Sequence, residues 1–276
     1  MTPRSEQIGA LARDALAREA RLTPKPGLVD AQNSGAHSDM DLPLLLGSAD
    51  ALEPYFVRFA ARGAADAALP PNGRLAAIRA DGVAAEAAML AATNGVNTHK
   101  GALFLLGALC YAAGHRAENG ALLTPRMLCQ TAARVCEGVT AELRAGGGRA
   151  YARYGARGAR GEAEDGFPNA LAAMDAYAAA RSLGANEEDG WRIALLALIA
   201  AVEDANVLAR CGEATAEALR RRAGEIAAAF PSGGRALEEA LEELDAQCRI
   251  WRASPGGAAD LLACAMFLHA LTAQSA

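Results

Sequence analysis

Apolar residues recur at helical spacing from near the start of the chain. Ile8, Leu11, Ala15 and Leu16 share a helical pattern that opens near Ser5 and lasts to Leu22, where "TPKPG" stops it. A second helical pattern covers about residues 44–64, and a third about 74–93 after the break "PPNG". Residues 101–113 are almost wholly apolar and end at Gly114, which predicts a central helix enclosed by others instead of one lying on the surface. Thr124 and Pro125 fit the cap and first turn of a helix reaching about Leu143. Further helices are expected near 169–183, 187–209, 213–229, 234–252 and 256–273, joined by short polar turns such as "LGANEED" and "FPSGG".

Two stretches lack this periodicity. The first, "TPKPGLVDAQNSGAHSDMD" (residues 23–41), is crowded with Pro, Gly, Asn, His and Asp. The second, "RAGGGRAYARYGARGARGEAEDGFP" (residues 144–168), is rich in Gly, Arg and Tyr. Structureless segments of such length inside a compact domain are usually functional or disordered, and the Arg and Tyr content leans towards function. The expected architecture is all-α: a single domain over residues 1–276, a multi-helix bundle of about nine or ten helices with two long functional loops.

Composition supports the helical reading. Alanine is abundant, aromatics reach only 5%, and few segments concentrate Val, Ile or Thr. A chain of 276 residues with 52% hydrophobic content can bury a sizeable core. The net charge of -5, without a dense basic block, shows no nucleic-acid footprint. The apolar stretch "GALFLLGALCYAAG" falls short of the roughly 18 residues a membrane span needs, and charges interrupt the N-terminal segment before it reaches signal-peptide length. Six cysteines without a CxxC pair read as buried thiols, which points to a reduced, cytoplasmic chain.

Candidate chemistry gathers at breaks in the periodicity. In "NGVNTHKGALFLLG", Thr98 is a plausible N-cap that would put His99 and Lys100 in the first helical turn, where free N–H groups attract anions. In "SPGGAADLLACAMFLHAL", Ser254 would cap, Pro255 would take the first position, and glycines would allow close backbone approach. Asp260 shares its helical face with Cys264, Phe267 and Leu271, so its carboxylate points inward and requires a cation or a donor. Asp204 and Asn206 would lie about 160° apart on a regular helix, so both reach one pocket only if the helix unwinds there, whereas Glu203, Asn206 and Arg210 share a face. Carboxylates at Asp39, Asp41 and Glu162 offer the hard oxygens that suit magnesium, and no HExxH or paired Cys/His spacing supports zinc.

The segments "TPKPGLVDAQNSGAHSDMD", "GVNTHKGALFLLG", "YGARGARGEAEDGFP", "DANVLARCG" and "SPGGAADLLA" occur in an order and spacing that resemble the triphosphoribosyl-dephospho-coenzyme A synthase family over about residues 20–270. The resemblance implies transfer of the triphosphoribosyl group of ATP to the 2'-hydroxyl of dephospho-CoA with release of adenine. The product would be the prosthetic-group precursor for an acyl carrier subunit of citrate lyase or malonate decarboxylase, passed on to a carrier-protein transferase. It further implies that Lys25, His99, Lys100 and Arg160 contact phosphates and that Asp39, Asp41 and Glu162 hold magnesium brought as Mg-ATP. Asp204 or Asp260 would activate the attacking hydroxyl, with His99 also in the catalytic set, and Asn97, Asn206, Ser254 and Gly256 would complete the substrate-binding set. No nucleic acid or membrane partner is implied, and a homodimer remains open.

Two departures stand out. The family usually shows Asp-Thr-Asn and Arg-Gly-Gly where this chain has "DAN" and "RCG", so Ala205 removes a hydroxyl and Cys211 adds a side chain. Two rival readings stand beside the resemblance: a magnesium-dependent helical hydrolase of an ADP-ribosyl bond or nucleotide, which the same carboxylates and helix starts would serve, and an inactive module that binds a carrier protein or a CoA derivative, which the two departures favour.

Overall fold

The computed structural model describes residues 2–120, 123–142 and 155–273. Among them are twelve helices and no strand: α1 (Pro3–Arg21), α2 (Leu42–Ala65), α3 (Leu75–Ala92), α4 (Lys100–Glu118), α5 (Pro125–Val135), α6 (Gly158–Glu164), α7 (Pro168–Ser182), α8 (Glu187–Ala201), α9 (Ala205–Cys211), α10 (Glu213–Ala229), α11 (Arg235–Trp251) and α12 (Gly256–Ala273). One buried apolar cluster runs from Ile8 to Leu271, so residues from both ends of the sequence share a core.

The all-α expectation holds, but about nine or ten helices become twelve among the described residues. One extra helix comes from the segment expected to run from 187 to 209, which breaks at residues 202–204 into α8 and α9. The other is α6, inside the stretch expected to be a long loop, because Gly161 and Ala163 are small enough to be buried there. Part of that expected loop, residues 144–154, lies outside the described residues. The helix expected to reach Leu143 closes at Val135, although Thr124 does cap it by accepting from Met127 N–H, with Pro125 in the first turn.

Helix α4 is the central element, buried almost continuously from Ala102 to His115. Gly114 does not end it. A β-carbon there would lie 1.9 Å from the Ala60 carbonyl oxygen, and one on Gly63 of α2 would lie 2.0 Å from that of Tyr111. Two glycines therefore let the backbones of α2 and α4 touch, and α4 continues for another turn. Helix α12 has the length and hydropathy of a membrane span. Ten of its residues are nevertheless buried, and α1, α4, α7 and α8 pack around it, so its apolarity serves the core.

The opening loop, residues 22–41, has neither helix nor strand, as its composition predicted. Asp30 replaces a regular ladder by accepting from the backbone N–H groups of Lys25, Gln32 and Asn33 at 2.9, 2.8 and 3.0 Å. Asp245 of α11 fixes the loop from outside, accepting from Gly27 N–H at 2.9 Å and Asn33 Nδ2 at 3.2 Å. Gly27 has φ 71°, and a β-carbon would lie 2.2 Å from the Ala253 carbonyl oxygen, so only glycine suits this close approach.

Candidate functional site

Three cavities meet at the start of α4. The first, about 270 Å³, lies between the opening loop, α4, α9 and the start of α12, and Lys25, His37, His99, Arg210 and Ser254 line it. The second, about 500 Å³, is bounded by α6, α4 and the break between α8 and α9, with Glu162, Asp165, Asn169 and Asp204 on its wall. The third, about 320 Å³, is a groove between α3 and α4 with Arg160 at one end. Lys100 and Gly101 line all three, while Asn97, Asn206 and Asp260 line both the first and the second.

The broken helix creates this convergence. Asp204 stands outside a helix and accepts from Asn206 N–H at 2.8 Å and Val207 N–H at 3.2 Å, which starts α9. Its other oxygen accepts from Gly257 N–H at 2.6 Å, and Ala258 N–H adds a further donor, so one carboxylate serves the starts of α9 and α12. Unwinding there lets Asp204 and Asn206 line the same cavity, as the 160° argument required. Burial raises the Asp204 pKa against those backbone donors. With both oxygens engaged by backbone donors, Asp204 caps two helices at the wall of the second cavity.

Asp260 is different. Backbone N–H of Ala102 donates to it, and it makes no ion pair among the described residues. Burial first, then the negative charges of Glu19 and Asp204, raise its pKa well above the ordinary carboxylate value. Its carboxylate comes so close to the α4 backbone that a β-carbon on Gly101 would lie 2.0 Å from Asp260 Oδ2. The sequence expectation of an inward carboxylate is met, with a helix start as donor and no cation.

Helix α4 begins at Lys100 with His99 in the N-cap position, one residue later than expected. Thr98 does not cap, because its hydroxyl pairs with Ser48 Oγ at 2.7 Å. Asn97 Oδ1, two residues before the N-cap position, accepts from Lys100 N–H at 3.2 Å. Ser48 also meets His99 Nδ1 at 2.9 Å, leaving His99 Nε2 buried without a partner among the described residues. Burial, with the Lys25 charge adding to it, pushes the His99 pKa down to about 4. Lys100 Nζ reaches Glu86 at 2.5 Å while its side chain stays exposed at the junction of the cavities.

Several expectations require correction. Lys25 does line the first cavity, but its ammonium is buried and held by Glu19 Oε1 at 2.6 Å and the Glu19 carbonyl at 2.7 Å, so it is no free phosphate clamp. Arg160 lines the α3–α4 groove and not the cavity of Lys25 and His99. Ser254 does not cap α12; Ala258 N–H and Ala259 N–H bond to the Pro255 carbonyl, and the Ser254 hydroxyl pairs with His37 Nε2 at 2.7 Å. Gly256 lies beside Asn206 at the first cavity.

The expected magnesium set does not converge. Asp39 is exposed at the first cavity, 3.6 Å from His37 Nδ1. Asp41 caps α2 by accepting from Leu44 N–H at 2.9 Å. Glu162 caps α7, accepting from Asn169 and Ala170 N–H at 2.8 and 3.2 Å, and burial raises its pKa. No group of three or more His, Cys, Asp or Glu side chains among the described residues could hold a metal.

Two residues of the site were not assigned roles from sequence. His37, in "GAHSDMD", has a buried Nδ1 without a hydrogen-bond partner, and burial lowers its pKa, with the Arg210 charge acting in the same direction. Arg210 follows Asn206 by one helical turn and brings an exposed guanidinium to the first cavity. Of the two departures, Ala205 lines the second cavity, whereas the Cys211 thiol is directed to the Trp251 and Arg252 carbonyls at 3.3 and 3.4 Å. All six cysteines are free, and all but Cys211 are buried.

A family model described as ATP:dephospho-CoA triphosphoribosyl transferase (CitG) matches residues 5–276. A protein of Albidiferax ferrireducens named "Probable 2-(5''-triphosphoribosyl)-3'-dephosphocoenzyme-A synthase" is 41% identical over 274 residues, covering 95% of this chain and 90% of its own. The 2-(5''-triphosphoribosyl)-3'-dephosphocoenzyme-A synthase of Haemophilus ducreyi is 40% identical over 293 residues, covering 97% and 89%. No solved structure matches the chain at a significant level.

Proposed function

The chain belongs to the ATP:dephospho-CoA triphosphoribosyl transferase family, and on that premise we propose that ATP and dephospho-CoA occupy the first and second cavities and react across Asp260. The activity is the transfer of the triphosphoribosyl group of ATP to the 2'-hydroxyl of dephospho-CoA with loss of adenine. One observation carries the arrangement: Asp260 lines both cavities, and no cation neutralises it among the described residues.

The hydroxyl oxygen forms a bond to the anomeric carbon of the ATP ribose as the bond to adenine breaks, and the electron pair leaves with the base. Asp260 takes the hydroxyl proton. The departing adenine takes up one proton from solvent and Asp260 afterwards returns its proton to solvent, so the exchange is neutral overall. In its ionised form a carboxylate with a raised pKa is a stronger base than an ordinary one, and it is that form that accepts the proton. Asn97 and Asn206, shared by the two cavities, orient the sugars, while Lys100 and Arg210 face the triphosphate. Asp204 and Glu162 hold the helix starts in place.

Magnesium belongs to the proposal as Mg-ATP. Bound there, it would neutralise the triphosphate, held mainly by phosphate oxygens and at most one or two carboxylates, since Asp39, Asp41 and Glu162 stand apart. We also propose a single-domain, cytoplasmic protein, with a homodimer and transfer of the product to a carrier-protein transferase as further parts of the reading.

Incubation with ATP and magnesium, with and without dephospho-CoA, tests the reaction. Adenine released only when both substrates are present supports transfer. Inorganic phosphate released from ATP alone would instead support the hydrolase reading, and binding without turnover the inactive module.

A further inference from the structure

The groove between α3 and α4 plays no part in the bond-making step, yet it adjoins the second cavity. It shares Lys100, Gly101 and Ala159 with the second cavity. Its walls are apolar: Ile78 from α3, Leu103 and Phe104 from α4, and Val139 from the segment after α5. Gly107 deepens it, because a β-carbon there would lie 3.1 Å from Phe59 Cε2. Gly82 leaves it open, with nothing within 4 Å of where a β-carbon would stand.

The rim is charged, and its cations outnumber its acids. Arg79 pairs with Glu142 at 2.5 Å, Arg160 approaches the same Glu142 at 4.0 Å, and Lys100 pairs with Glu86 at 2.5 Å. Three cations share two carboxylates. An apolar trough with surplus positive charge at its mouth complements a ligand whose diphosphate continues into a largely apolar arm.

We propose that this groove binds the pantetheine arm of dephospho-CoA, with the diphosphate at the Arg79–Lys100–Arg160 rim and the adenosine end in the second cavity. The inference rests on the family reading above and adds to it an acceptor subsite on α3 and α4. It gives Arg160 a phosphate to meet, although that phosphate belongs to the acceptor and not to ATP. Adenosine placed in the second cavity keeps its 2'-hydroxyl beside Asp260 while the arm runs away from the reacting atoms.

Gly82→Leu fills the trough from an open position and replaces a mid-helix glycine with a good helix former, so the fold should tolerate it. Val83→Glu, at a residue 66% exposed, places negative charge beside the rim without touching the core. In steady-state adenine-release assays, each variant is expected to raise the KM for dephospho-CoA about 10- to 100-fold while leaving the KM for ATP unchanged. With ADP as acceptor, which keeps the ribose and diphosphate but lacks the arm, Gly82→Leu should have no effect. An unchanged KM for dephospho-CoA in both variants, or a matching rise in the KM for ATP, would overturn the subsite. Failure of the wild-type chain to bind dephospho-CoA in calorimetry would instead overturn the substrate placement proposed above, on which the subsite rests.

Discussion

The carboxylate of Asp260 occupies the space that any side chain on Gly101 would need, since a β-carbon there would lie 2.0 Å from Oδ2. This pairing fixes the proposed general base against a helix start between two cavities. Gly101→Ala is therefore expected to displace the carboxylate and to lower kcat for adenine release about 100-fold with the helical circular dichroism intact. An unchanged kcat would remove the geometric basis of the mechanism.

Asp260 and Asp204 should respond differently to the same change. Asp260→Asn removes the base and is expected to lower kcat about 100- to 10,000-fold with little change in either KM. Asp204→Asn weakens the cap on α9 and α12 and should destabilise by about 1–3 kcal/mol. Kinetics alongside denaturant melts separate them; a large kcat loss in Asp204→Asn without loss of stability would restore Asp204 to the chemistry.

Asp260 also sets a pH dependence. Its folded pKa is raised above the ordinary value of about 3.9, so its contribution to stability is full below that value and is lost as pH rises through the folded pKa. Asp260→Asn should gain stability over the wild type near pH 8 and show no gain near pH 4. Parallel urea titrations across that range check the slope, and a constant difference would contradict it.

His99 acts in the opposite sense. Its pKa of about 4 lies below the ordinary histidine value of about 6.5, so its contribution is full above 6.5 and is lost as pH falls towards 4, by about 3 kcal/mol. His99→Asn should flatten that part of the wild-type stability curve; an unaltered curve would mean the ring is not the group that titrates.

Gly63→Ala and Gly114→Ala test the crossing of α2 and α4. Alanine is the better helix former by about 1 kcal/mol, yet each new methyl would strike a carbonyl oxygen, so each variant should lose about 1–3 kcal/mol overall. A gain in melting temperature would show that the helices can move apart freely.

Much of the fold was legible because helical periodicity is local. The enclosed α4, the capped start of α5 and the polar opening loop all followed from spacing and punctuation. Gly114 misled because a glycine after an apolar run reads as a stop, whereas its purpose is contact with Ala60 across the chain. At the candidate site, Asn97, Lys100, Asn206 and Asp260, far apart in sequence, line the same two cavities. Lys25 could not be read as spoken for until Glu19 was seen beside it. Asp39, Asp41 and Glu162 look like a ligand set in one dimension, but two of them cap different helices, and the loop chemistry that suits a metal also suits a helix start.

The most direct measurement is a structure of the Asp260→Asn protein with ATP, magnesium and dephospho-CoA bound. The account predicts the acceptor 2'-hydroxyl within hydrogen-bonding distance of residue 260 and facing the anomeric carbon of ATP, with one substrate in each cavity. Both substrates in the same cavity, or a 2'-hydroxyl remote from residue 260, would contradict it.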